Sequence, residues 1–280
     1  MSAGALRLGG GPFWGFVERQ ANIYRRFWAW EAVWFVYIVV SVASIGYLAS
    51  GLGDLGVGAA TQPVALHRAQ LYLLAGALLW SFLSLVFMEV AFAIAWERWE
   101  GTIEYTFMAP VRRTTHLLGI CAFSLVYGLL RTLLVGALTV PLFSLDLGGA
   151  NLLTAASVLV AATPALIGLG VLVAILPLLA PEKGEQMSMA LQGLLLLVSG
   201  VYYPVSVLPG PLRLAGQLSP LTTMLDATRH ALLDGASLRD VAGDATLLLA
   251  VGALLVPAGL WLFARAERRA KRLGLLKRSG

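Results

Sequence analysis

The sequence predicts an all-α polytopic membrane protein. Six transmembrane helices follow an N-terminal amphipathic interfacial helix, with short re-entrant exterior helices between spans five and six. Three observations predict this. The composition is 59% hydrophobic and only 12% charged, with a mean hydropathy of +0.81, whereas a soluble domain carries roughly a quarter charged residues. Several uninterrupted apolar runs reach the roughly 20 residues a helix needs to cross a bilayer. Those runs are continuous rather than alternating with a period of two, which excludes an outer-membrane barrel. Residues 1–280 read as a single membrane domain.

The opening residues are glycine-rich and interrupted by charge, so no cleavable leader is expected there. Residues 12–28 form the first element. Phe13, Phe16, Val17, Ile23, Tyr24 and Phe27 recur at helical spacing, with Glu18, Arg19, Asn22, Arg25 and Arg26 on the other face. Such a helix lies in the membrane interface; the other reading is a juxtamembrane flank with anchoring aromatics. Spans are predicted over 30–50, 71–96, 115–141, 153–180, 187–203 and 244–264. Pro164 and Pro177 with Gly168 and Gly170 mark the fourth as kinked or closely packed. Residues 204–243 begin with Pro204, Pro209, Pro211 and Pro220, and each proline removes a backbone donor and clashes with the preceding turn. A solvated linker would not keep so many Leu, Val and Tyr residues, so this segment folds back at the membrane surface or dips partway in.

Basic residues set the orientation. Arg7, Arg19, Arg25 and Arg26 precede the first span, Arg98, Arg112 and Arg113 fill the 97–114 loop, and Lys183 lies between spans four and five. The tail, 265–280, is strongly basic and suits an anionic leaflet. Against these stand Arg68, Arg213, Arg229 and Arg239 on the opposite side. Both termini and the 97–114 loop are therefore expected in the cytoplasm, and 204–243 on the exterior. The pI near 9.6 reads as topology, not as nucleic-acid binding.

In the 97–114 loop, Glu97, Gly101 and Glu104 fall at i, i+4, i+7 spacing, so the acids share one helical face, with Tyr105, Phe107 and Met108 as an apolar counter-face. Two readings stand: a short amphipathic helix that docks a partner protein, or a solvated turn whose acids offset a helix dipole. Within the spans, Glu89 and Arg131 are intramembrane charges, which by default face a cavity or a partner. Glu89 lies roughly 10–12 Å from the cytoplasmic end of its span and Arg131 roughly 20–24 Å along the next, which argues against a direct pair. Each is either a pathway or dimer-interface residue or a charge satisfied by backbone or headgroup.

The single cysteine, Cys121, allows no intrachain disulfide. His67, His116 and His230 lack metal spacing, so no metal site is expected. An intramembrane enzyme would want G-x-S-x-G, H-E-x-x-H or paired aspartates at depth, and a passive channel a polar ring or carbonyl filter. None is apparent, and no catalytic or cofactor-binding residue is assigned.

Residues 101–113, GTIEYTFMAPVRR, resemble the pattern Gly-Thr-aliphatic-Glu followed by Pro-Val in membrane-spanning permease subunits of the type-2 ATP-binding-cassette (ABC) transporter family, export type. A second stretch resembles the family's later pattern through Ser199-Gly200, Tyr202-Tyr203-Pro204, Leu208-Pro209, Ser219-Pro220-Leu221-Thr222 and Asp226 with Arg229. The resemblance implies a permease that forms the pathway for an amphiphilic substrate: a drug-like molecule, a lipid, a lipid-linked glycan, or a polysaccharide or lipo-oligosaccharide. It implies a second permease subunit, as a homo- or heterodimer, and two copies of a cytoplasmic ABC ATPase, in the cell's inner (plasma) membrane. Glu97, Glu100, Gly101, Glu104, Tyr105 and Pro110 would dock the ATPase. Tyr202, Tyr203, Pro204, Pro209, Pro220, Asp226 and Arg229 would form an exterior gate. The chain has no G-x-x-x-x-G-K-[ST] phosphate loop, so ATP and Mg are expected on the partner ATPase.

Overall fold

The computed structural model describes residues 11–54, 63–108 and 111–275, and the expected docking residue Pro110 lies outside them. The described chain is all-helical. Helix α1 (Pro12–Arg26) leads through Phe27 into α2 (Trp28–Asp54), and α3 (Pro63–Trp99) is followed by the short α4 (Ile103–Met108). Then come α5 (Arg113–Leu142), α6 (Leu152–Val173), α7 (Ile175–Leu179) and α8 (Gly184–Val198). A 3-10 turn at Val205–Val207 precedes α9 (Gly210–Gln217) and α10 (Pro220–Leu233), and α11 (Ala242–Arg272) closes the fold.

Five helical stretches are long and apolar enough to cross a membrane: Trp28–Gly51, His67–Trp99, Thr114–Leu142, Leu152–Leu179 and Ala242–Arg272. These contain five of the six predicted spans. The predicted fifth span, 187–203, is represented by α8, whose 15 residues span only about 22 Å at the α-helical rise, short of a hydrocarbon core of about 30 Å. It stops because Gly200 takes a left-handed conformation, φ +69°, open to glycine at little steric cost.

The apolar periodicity sorts these helices into an inner and an outer set. Helix α3 sits centrally, flanked by α2, α5 and α6, while α11 runs along α6. The main core joins Phe82, Leu83 and Val86 of α3 to Val158, Ala162 and Leu166 of α6, Met224 and Leu225 of α10, and Leu248 of α11. A second cluster places Val90 and Ile94 against Leu117, Val171, Leu178 and Phe263. A Cβ on Gly168 would collide with Leu255 of α11, the close helix approach that small residues permit in membranes. The predicted fourth span, 153–180, is interrupted at Ala174 between α6 and α7. Pro177 has no N–H to offer the Val173 carbonyl, which accounts for the break. By contrast α2 turns Val33, Val36, Tyr37 and Val40 outward, and α11 turns Leu247, Leu249 and Leu254 outward, as helices facing lipid or another subunit do.

Pro141, Pro164 and Pro257 lie inside α5, α6 and α11, whereas three other prolines occupy positions a helix tolerates. Pro12 and Pro220 sit in the first turns of α1 and α10, and Pro209 is the N-cap of α9.

Candidate functional site

Two ends of the bundle carry the residues that sequence singled out. At the first, α3 emerges, turns and hands over to α4. Gly101 adopts φ +71° and ends the helix, so Glu97, Gly101 and Glu104 do not share one helical face. That expectation is corrected: Glu97 belongs to α3, and Glu104 to a separate helix. Glu97 points inward. Its side chain is 3% exposed, its Oε1 accepts from Arg19 Nη1 at 2.8 Å, and His116 Nε2 lies 3.1 Å from the same oxygen. The second guanidinium nitrogen of Arg19 reaches Glu100 Oε2 at 3.2 Å and Thr102 Oγ1 at 3.3 Å. Phe16 packs on the His116 ring with centroids 4.6 Å apart.

The amphipathic helix α1 is thus strapped to the turn between α3 and α4 and to the start of α5. A buried carboxylate needs such partners, since desolvating an unpaired charge is costly. Arg98, also buried, donates to Pro177 O at 2.8 Å and Leu275 O at 3.0 Å, tying α7 and the end of α11 to the same turn. On α4, Ile103 is fully buried whereas Tyr105 is 78% and Met108 81% exposed. Of the expected docking residues, Tyr105 faces outward, Glu100 is partly exposed and bonded to Arg19, and Glu97 is internal.

Within the bundle, Glu89 accepts from Gln20 Nε2 at 3.0 Å and from the Tyr24 hydroxyl. A neighbouring carboxylate, Glu31, accepts from Tyr127 at 2.7 Å, and Tyr24 packs against Tyr127 and Phe123. The Glu89 partners therefore come from α1. No ion pair joins Glu89 to Arg131 among the described residues, and Arg131 makes no hydrogen bond among them.

At the other end, the break after α8 is closed by Arg229. This residue is 4% exposed. It donates to Gly200 O at 2.8 Å, to Val201 O, and to the Tyr72 hydroxyl at 3.0 Å, with its guanidinium 3.7 Å from the Tyr72 ring centroid. It therefore satisfies two buried carbonyls of the non-helical chain just beyond the end of α8. Asp226 reaches Arg229 only as a long ion pair, 3.9 Å at closest, and its side chain is 67% exposed. Arg229 spends its hydrogen bonds on the chain just after α8 and on Tyr72 of α3. A Cβ on Gly76 of α3 would overlap Val201 O and the Arg229 guanidinium, so glycine is what lets the break approach α3. Tyr202 is partly buried and packs against the apolar clusters around α3, Tyr203 donates to Leu197 O at 2.6 Å, and Pro204 is extended. Pro209 and Pro220 start α9 and α10.

Sequence reasoning missed Arg19, Arg98, His116 and Tyr72 as site residues. Only the placement of Arg19 on the polar face of an amphipathic helix hinted at one of them.

A family profile described as "ABC-2 family transporter protein" matches residues 62–261. No curated protein matches the chain.

Proposed function

The chain belongs to the ABC-2 transporter family, and from that premise we propose that it is the permease subunit of an ATP-driven exporter for an amphiphilic substrate. Membership makes it a multi-pass transmembrane transport protein that works with an ABC ATPase subunit. In our reading two permease subunits enclose one pathway. Two ATPase copies, which hold ATP and Mg, dock at the cytoplasmic end.

The observation that carries this reading is the outward face of α4. A six-residue helix buries Ile103 and leaves Tyr105 and Met108 exposed. Exposed aromatic and Met side chains rimmed by charge are characteristic of protein–protein contacts. Behind α4, Arg19 straps the turn to α1, and Glu89 holds α1 against α3. A displacement of α4 by the ATPase would therefore be carried into α1 and α3 together.

The same reading makes α8 the sixth crossing, with the extended chain after Gly200 completing the thickness. Helices α9 and α10 then form a re-entrant lid on the exterior, and both termini lie in the cytoplasm of the inner (plasma) membrane. The charge asymmetry along the sequence supports that orientation. The predominantly apolar outward faces of α2 and α8 suit a drug-like molecule, a lipid or a lipid-linked glycan better than a small ion.

The test is reconstitution with the partner ATPase and measurement of substrate-stimulated ATP hydrolysis. Tyr105→Ala with Met108→Ala should lower stimulation roughly tenfold while the chain stays folded, the scale of losing one or two interface anchors. Full stimulation by the double variant would overturn the docking assignment.

A further inference from the structure

We propose that the C-terminal end of α11 is a binding surface for anionic phospholipid, whose headgroups are held by a row of arginines that continues the outward apolar stripe of the helix. The inference needs only that α11 crosses the bilayer, and it is independent of where an ATPase docks.

The row follows from the helical repeat. Leu247, Leu254, Trp261 and Arg268 lie seven residues apart, a step that returns a helix to nearly the same face. The first three are exposed, so this is the face α11 turns away from the bundle. Arg265 and Arg272 flank Arg268 on that face and Arg269 adjoins them, and all four side chains are exposed. From Leu247 to Trp261 the helix rises about 21 Å, most of a hydrocarbon core of about 30 Å. Arg265 to Arg272 then occupies about 10 Å more, at the level of the headgroups. The Arg265 guanidinium lies 4.0 Å from the Trp261 ring centroid, and tryptophan favours the membrane–water boundary.

Charge on this face is of one sign. Between Thr246 and Leu275 the only acid is Glu267, which is buried and pairs with Lys271 at 2.7 Å. Arg268, Arg269 and Arg272 have no carboxylate partner among the described residues. Guanidinium groups with free donors match phosphate oxygens in planar pairs.

The row is held in place. Ala266 and Ala270, on the opposite side of the helix, are buried in the cluster that contains Ile94, Ile103 and Leu178. Gly274, at φ +68°, and the Leu275 amide, which donates to Ala270 O at 3.0 Å, cap the helix. Arg98 then fixes Leu275 O at 3.0 Å. Arginines carried on a fixed helix lose less freedom on binding than arginines on a loose tail. Continuity with the apolar stripe selects lipid as the occupant, because the face that meets acyl chains meets headgroups where the stripe ends. A second copy of the chain fits poorly, since a two-fold axis would set this row against itself, arginine facing arginine.

The experiment uses the full chain, purified in detergent without an ATPase, and native mass spectrometry of retained lipid. Dioleoyl phosphatidylglycerol is the probe, and dioleoyl phosphatidylcholine, with the same acyl chains and no net charge, is its control. Wild type should prefer phosphatidylglycerol. Arg268→Gln with Arg272→Gln should weaken that binding roughly 25-fold, about fivefold for each charge removed at an anionic surface. Arg268→Lys with Arg272→Lys keeps the charge and should recover most of the binding, which separates loss of charge from loss of fold. Arg213→Gln, on α9, should leave binding unchanged. The proposal is overturned if the glutamine variant holds phosphatidylglycerol like wild type, if the lysine variant binds no better than the glutamine variant, or if phosphatidylcholine is held as tightly as phosphatidylglycerol. A glutamine variant that keeps the lipid but no longer co-isolates an ABC ATPase from its membranes also overturns it, and assigns the row to an acidic protein surface.

Discussion

At the residue scale, buried charges locate the working parts of this protein, and Glu97, Arg98 and Arg229 are each satisfied across a long stretch of sequence. Arg229→Ala removes the donors to Gly200 O and Val201 O and should cost about 3 kcal/mol, since hydrogen bonds to charged groups contribute about 1.5–3 kcal/mol each. Arg229→Lys should recover only part of this, because an ammonium lacks the planar fork that spans two carbonyls. Asp226→Ala should stay close to wild type. Thermal unfolding of the purified protein checks all three, and an Asp226→Ala loss equal to that of Arg229→Ala would contradict the geometry. For the strap, a double-mutant cycle of Arg19→Ala and Glu97→Ala should give a coupling energy of about 1–2 kcal/mol, as expected for a partly buried pair in contact. The 226/229 spacing was legible because helix neighbours three residues apart share a face. The true acceptors were not, because a backbone carbonyl carries no residue-type signal and lies 28 or 29 positions away in sequence. Glu97 was misread for the same reason, its partner Arg19 being 78 positions distant.

At the element scale, punctuation residues were the reliable guide and periodicity in short segments was not. The proline-rich stretch breaks where prolines force it to, and α9 and α10 begin at Pro209 and Pro220. The 97–114 loop was read as one helical face because Glu97, Gly101 and Glu104 repeat at helical spacing. The left-handed Gly101 ends α3 between them. Gly101→Val should therefore strain the turn by about 1–2 kcal/mol and shift α4 relative to α1. The expected readout is weaker ATPase stimulation, with little change in the thermal stability of the spans. Gly76→Val should act at the opposite end: it forces the chain after α8 away from α3 and separates Arg229 from its carbonyls. That variant should lose stability comparably to Arg229→Ala, and the two should be non-additive when combined, because they disrupt one contact. The short α8 could not be separated from its extended continuation by composition alone, since Val201 and the paired tyrosines keep the segment apolar beyond the helix end.

At the scale of the whole molecule, composition predicted an all-helical membrane bundle, the motifs at 101–113 and 199–229 carried its likeness to ABC-2 permeases, and the match over residues 62–261 shows the family. What composition could not supply is the connection between ends. The strap through Arg19, Glu97 and His116 and the contacts of Gln20 and Tyr24 with Glu89 join α1 to the turn between α3 and α4 and to the central helix. Helix α1, none of whose residues is buried, is thereby tied to the surface of the bundle. The central claim is that an ATPase drives this bundle through α4. The most direct test isolates the chain by affinity tag from its own membranes, identifies the bound subunit and measures ATP hydrolysis in the isolate. The account predicts an associated ABC ATPase that hydrolyses ATP with wild type and is lost with Tyr105→Asp and Met108→Asp, while the variant remains folded. Equal ATPase recovery and hydrolysis with the variant would contradict it.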